Sequence, residues 1–215
     1  MIPIFQELSK KIGTKKVIWR YDPIIFTKKY TPEYHLKAFE QLASALNGYT
    51  EKCVISFVDV YAKNKRNMER LDSHEIDQSE LQAFAGRISK IARENGMAMG
   101  SCAESIDLDE CGIEHNCCID KKLIESIIGC ELSVEKDKNQ RRECGCMESV
   151  EIGTYDTCQN GCKYCYANCS EAGVVRNCSK YDPESPILCG ALDENDKITE
   201  RKVKSLKEQQ LSLFI

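Results

Sequence analysis

Of the fourteen cysteines in this chain, only Cys53 precedes residue 101; the rest fall between Cys102 and Cys189. That asymmetry divides the chain into a cysteine-poor scaffold and a cysteine-rich part. At 215 residues the chain is long enough to bury an apolar core without covalent staples. The start, "MIPIFQELSKKIG", has no basic stretch followed by an apolar one, and no segment approaches the roughly 20 apolar residues of a membrane helix. The expected setting is cytoplasmic and away from membranes, where thiols stay reduced, so metal binding is favoured over a disulfide framework.

The scaffold carries three short apolar runs that read as buried strands: "KVIWRY" (16 to 21), "KCVISFVDVY" (52 to 61) and "GMAMGSC" (96 to 102). Amphipathic stretches separate them. In "TPEYHLKAFEQLASALNG", Thr31 is an N-cap, Pro32 suits the first helical position, and Leu36, Phe39, Leu42, Ala43 and Leu46 share one face before Gly48. The segment from Ser79 to Asn95 repeats the pattern with Leu81, Phe84, Ile88, Ile91 and Ala92. Alternating helices and strands predict an α/β fold: a parallel sheet forming part of a (β/α) barrel, or an open doubly wound sheet. Three strands do not complete an eightfold barrel, which takes about 250 residues. The expected organisation is a βα scaffold over residues 1–130, a mostly irregular cysteine-rich region over 131–192, and a charged helix with a tail over 193–215.

In such sheets ligands meet the carboxyl ends of the strands. Polar residues gather there: Arg20, Tyr21 and Asp22, then Asp59 and Tyr61, then Cys102 and Glu104. They read either as ligand contacts or as strand-end caps. Cys53 reads as core, and Cys111, Cys130, Cys178 and Cys189 have no partner spacing and read as structural. His35 and His74 read as solvated. The net charge of -4 restricts any grip on nucleic acid to a local patch.

The central motif is "TCQNGCKYCYANC", in which Cys158, Cys162 and Cys165 are spaced CxxxCxxC. Three thiolates in one tight loop suit three irons of a [4Fe-4S] cube and leave one iron open, and Gly161 lets the backbone turn between them. Cys169 adds a second frame. A site that used it would be closed, and then structural or electron-transferring.

That spacing, with Tyr164 directly before the last cysteine, resembles the signature of radical S-adenosylmethionine (SAM) enzymes. The resemblance implies that the open iron binds SAM, that Tyr164 lies beside the cofactor, and that a reductant such as ferredoxin or flavodoxin supports formation of a 5'-deoxyadenosyl radical. The runs "CGCMESVEIGTYDTCQNGCKYCYAN", "VIWRYDPI", "CVISFVDVY", "GSCAE" and "YDPESPILCG" extend the similarity. Together they resemble the uncharacterised bacterial domain-of-unknown-function family eighteen forty-eight, described as having a C-terminal cysteine cluster like that of radical SAM enzymes. Two departures stand out. The cluster motif comes late, whereas radical SAM enzymes carry it near the start of the barrel. The chain also begins within what resembles the second third of family members, so an N-terminal segment is expected to be missing. No Gly-rich or acidic SAM-holding motif follows the loop.

A second metal site is expected from Cys102, Cys118, Cys144 and Cys146, holding zinc or an auxiliary iron-sulfur cluster. Cys144 and Cys146 form a CxC clasp, and Cys118 precedes the helix "DKKLIESIIG", whose positive end favours thiolate. Cys117 or His115 is an alternative to Cys118.

The chain ends "KEQQLSLFI", and Gln210, Leu211, Ser212, Leu213 and Phe214 resemble the pentapeptide by which bacterial repair and replication proteins dock onto the sliding clamp. Leu213 and Phe214 would be apolar anchors and Gln210 a polar fix; packing of these residues onto their own domain is the alternative. Five Lys or Arg residues between Lys197 and Lys207 alternate with acids and read as a solvated helical face. The leading expectation is a radical SAM-type iron-sulfur protein acting on an unknown substrate. If the tail docks, that substrate is DNA-associated, as in the repair performed by spore photoproduct lyases. The rivals are a non-enzymatic metal-binding or electron-transfer protein with closed cysteine sites, and a clamp-docking adaptor.

Overall fold

The structure is a computed structural model that describes residues 1–62, 64–74 and 76–208. The elements run α1 (Ile2–Ile12), β1 (Trp19–Ile24), α2 (Pro32–Leu46), β2 (Lys52–Phe57), α3 (Lys65–Glu69) and α4 (Gln78–Glu94). They continue through β3 (Ala98–Cys102), β4 (Ile113–Asn116), α5 (Lys121–Ile128) and α6 (Glu171–Cys178). Two compact units result. One joins Met1–Val58, Ser73–Ser149 and the described residues from Leu206 onward; the other joins Asp59–Asp72 to Val150–Ser205.

The first unit is built on a four-stranded parallel sheet in the order β1-β2-β3-β4. Strand order equal to chain order means that each crossover adds its strand on the same side, the progression of a (β/α) barrel segment; a doubly wound sheet reverses direction. Trp19, Cys53, Met99 and Ile113 lie in register across the sheet and all enter the main core. Because strand side chains alternate, the next row of Arg20, Val54, Gly100 and Glu114 belongs to the opposite face.

Helices α2 and α4 cover the core face, with Leu36, Phe39, Ala43 and Leu46 from one and Phe84, Ala85, Ile88 and Ala92 from the other. Each large apolar side chain removed from water here contributes roughly 1.5–3 kcal/mol. Thr31 caps α2 as expected, accepting from Tyr34 N at 3.3 Å. Helix α4 is capped by Asp77, which accepts from Glu80 N at 2.9 Å, so it begins one residue before Ser79. Strand β4, "IEHN", was not expected; its two central residues are polar and exposed, and only pairing with β3 defines it.

Two expectations are corrected. His35 is buried rather than solvated: Nε2 donates to the Ile25 carbonyl at 3.0 Å, leaving Nδ1 to accept from the Tyr21 hydroxyl at 2.8 Å. The helical spacing that places Leu36 and Phe39 inward also turns His35 into the aromatic layer of Phe26 and Phe84. Residues 197–207 carry no helix among the described residues. Instead residues 206–208 meet 131–133 at an isolated antiparallel bridge, where Ser133 N donates to Leu206 O at 2.8 Å and Glu208 N to Glu131 O at 2.9 Å. The segment lacks an apolar helical stripe to bury, and its residues are exposed, so tertiary packing does not hold a helix there. The clamp-like residues Gln210, Leu211, Leu213 and Phe214 lie outside the described residues. Among the described residues no helix is long and apolar enough to cross a membrane.

The second unit contains α3, the cysteine loop and α6. At its centre is Asn64, fully buried, whose Oδ1 accepts from Tyr61 N at 2.7 Å while Nδ2 donates to Asp59 O at 3.1 Å and Tyr164 O at 2.9 Å.

Candidate metal centres

All fourteen cysteines are free thiols. Two groups of them stand out, one in each unit.

In the second unit the loop is shaped by local hydrogen bonds. Gly161 takes φ +65, in the region open to glycine, and Cys165 N donates to Cys162 O at 3.1 Å, closing the turn between the last two motif cysteines. Asn168 Nδ2 donates to Cys158 O at 2.7 Å, and Asp156 Oδ1 accepts from the backbone N–H groups of Cys169 and Ser170. Ser170 caps α6, accepting from Gly173 N at 3.0 Å. A cavity of about 260 Å³ opens here, and its lining includes Cys158, Cys162, Cys169 and Asn168. Half-buried Cys165 lies outside that lining, and Tyr164 meets Asn64 through its carbonyl. Asn168 Oδ1 is a buried acceptor without a hydrogen-bond partner. A soft thiol set beside an unused acceptor suits a thiolate-bound metal group with a polar ligand.

In the first unit, Cys102 ends β3 and Ala103 turns the chain sharply, with φ +53. Cys117 and Cys118 follow β4. The CxC segment is pinned by Asp137 N to Cys146 O at 2.9 Å and Met147 N to Ile119 O at 3.1 Å. Cys144 and Cys146 are buried with Ala103, and Cys102 and Ile119 pack against them. Cys102 Sγ and Cys118 Sγ are 3.0 Å apart, and Cys144 and Cys146 interact thiol to thiol. Arg20 Nη1 donates to Cys118 Sγ at 3.0 Å while its Nε and Nη2 grip Asp22 at 3.0 and 2.5 Å. Ile119 N donates to Cys146 Sγ at 3.3 Å. At Gly145 an added Cβ would stand 2.6 Å from Cys117 Sγ, so that thiol uses the space a side chain would fill.

The electrostatics follow from these contacts. The hydrogen bond from the Cys102 thiol, aided by Arg20, lowers the Cys118 pKa to about 6, while Cys102, facing that thiolate, is pushed up. Burial pushes Cys117 and Cys146 up. Among the described residues, no three His, Cys, Asp or Glu side chains are gathered ready to hold a metal ion. In the sheet unit the sulfurs meet in pairs, Cys102 with Cys118 and Cys144 with Cys146.

The strand-end residues have identifiable partners. Glu104 Oε1 accepts from Phe57 N at 2.8 Å, tying β2 to the turn after β3, and Tyr21 is engaged by His35. His115 is exposed on β4 in register with Ser101, whereas Asn116 is the neighbour of Cys102; alternation therefore turns His115 away from Cys102. Cys53 is in the core, and Cys111, Cys178 and Cys189 donate to backbone carbonyls at 3.4 to 3.5 Å. Sequence reasoning missed Asn64, Asn168 and Gly145. The roles of Asn64 and Gly145 depend on long-range packing, whereas Asn168 acts within its own loop, and a glycine between two cysteines was a visible cue.

Residues 1–167 match the family model described as Domain of unknown function (DUF1848), a span that includes both cysteine groups up to Cys165. No curated protein and no solved structure matches the chain.

Proposed function

The chain belongs to that family, and from the chemistry of its cysteine loop we propose that it is an iron-sulfur protein of the radical SAM type. Cys158, Cys162 and Cys165 hold three irons of a [4Fe-4S] cluster, and the fourth iron is left for SAM. Such a cluster supplies the electron that turns SAM into a source of the 5'-deoxyadenosyl radical. The observation that carries this reading is the CxxxCxxC thiol set within one glycine-hinged turn, beside a cavity with an unused acceptor. Asn64 and Asn168 hold the loop through the Tyr164 and Cys158 carbonyls, and on this reading Tyr164 lies next to the cluster. The proposed setting is the cytoplasm, with ferredoxin or flavodoxin as the reductant. If Gln210 to Phe214 dock onto a sliding clamp, the substrate is DNA-associated; titrating labelled tail peptide against clamp tests this, and binding that ignores Phe214 refutes it.

One observation favours a second reading. Cys169 shares the cavity lining with Cys158 and Cys162, the arrangement a closed four-thiolate, non-enzymatic site would use. Electron paramagnetic resonance on anaerobically reconstituted, dithionite-reduced protein separates the two. A [4Fe-4S] signal that shifts on adding SAM and vanishes in Cys162→Ser supports the open cluster; a signal indifferent to SAM, or zinc alone, overturns it.

A further inference from the structure

The cysteines of the sheet unit form a group of their own, drawn from β3, the segment before α5, and the CxC segment. We propose that Cys102, Cys118, Cys144 and Cys146 constitute a tetrathiolate site for one borderline divalent metal ion of the zinc class, separate from the cysteine loop.

Packing is the first argument. A core at this position needs only apolar volume, yet Cys144 and Cys146 are buried against Ala103, with Cys102 and Ile119 beside them. Cys144 and Cys146 on one CxC segment, with Cys102 packed against them and Cys118 at 3.0 Å from Cys102, are a donor set rather than a space-filling set. The second is backbone geometry. Ala103 holds φ +53, a region unfavourable for a residue with a Cβ, directly after Cys102; such strain persists where the surroundings impose it and concentrates at ligand sites. Gly145 permits Cys144 and Cys146 to flank a point where the Cys117 sulfur already closes off space for a Cβ.

The third argument is the hydrogen bonding to sulfur. Ile119 N donates to Cys146 Sγ at 3.3 Å and Arg20 Nη1 to Cys118 Sγ at 3.0 Å. Metal-bound thiolates keep negative charge on sulfur, and such donors orient them and offset that charge. Arg20 is itself oriented by Asp22, so the donor is preorganised. Loading replaces the thiol-thiol contacts by metal-sulfur bonds, releases the thiol protons to solvent, and changes no oxidation state. Cys118 is exposed and gives the ion a way in.

The test uses the full chain with Cys158, Cys162, Cys165 and Cys169 all changed to Ser, so that its outcome does not depend on the iron-sulfur reading. This protein is stripped with chelator under reducing conditions and titrated with Zn²⁺ and with Co²⁺. The expected result is one tightly held zinc per chain, and a Co²⁺ spectrum with the charge-transfer and ligand-field bands of four thiolates. Adding Cys144→Ser with Cys146→Ser removes both. Should that pair fail to fold, the single Cys118→Ser exchange at an exposed position lowers zinc affinity and weakens the charge-transfer band with an unchanged circular dichroism spectrum. Absence of stoichiometric zinc, or zinc unaffected by Cys118→Ser, overturns the proposal. So does recovery of Cys102 and Cys118 as a disulfide that forms equally well with and without zinc.

Discussion

Asn64 Nδ2 donates a 2.9 Å hydrogen bond to the carbonyl of Tyr164, across 100 residues of sequence. The amide is fully buried and makes two further bonds, so it braces the cysteine loop against the segment before α3. Replacing Asn64 by Ala removes three hydrogen bonds made by a fully buried side chain, at about 1–3 kcal/mol in all. Denaturant unfolding is expected to show that loss, together with faster alkylation of Cys162 and Cys165. Unaltered stability and alkylation would remove the bracing role.

On the proposed iron-sulfur reading, Cys169 separates an open from a closed cluster. With three ligands sufficient, Cys169→Ser retains a [4Fe-4S] signal that still responds to SAM. Iron analysis and paramagnetic resonance read the result, and loss of the cluster would make Cys169 its fourth ligand.

His35 makes stability depend on pH. Burial holds its pKa below the ordinary value, and the ring is neutral, with one nitrogen donating and the other accepting. In the unfolded chain a histidine titrates near about 6.5, so below that pH the unfolded state binds a proton that the folded state refuses. The His35 contribution is therefore full above this value and declines as pH falls through it. His35→Gln is expected to be less stable at pH 7.5, with a flatter profile between pH 7 and 5, in chemical denaturation across that range. An unchanged slope would refute the assignment.

Gly145→Ala tests the close approach of Cys117, because the new Cβ falls 2.6 Å from its sulfur. Overpacking of this kind costs about 1–3 kcal/mol. Gly86→Ala in α4 is the control: its Cβ meets nothing within 4 Å, so it should stabilise by roughly 0.5–1 kcal/mol. Unfolding midpoints of the reduced, metal-free proteins compare them, and equal shifts would mean that the Cys117 contact does not constrain Gly145.

By itself the sequence determined the local order: α2 with its Thr31 cap, the apolar strands β1 to β3, α5 ending at Gly129, and a turn at Gly161. Periodicity and capping are properties of neighbours a few residues apart, so they survive without a fold. Tertiary structure decided the rest. It paired "IEHN" as a fourth strand and turned His35 inward through its contacts with Tyr21 and Phe26. It also brought Arg20 to Cys118 across a sequence separation of 98, and joined residues 206–208 to 131–133. The cysteine spacing announced thiol chemistry; which thiols meet depended on chain crossings that no local pattern encodes.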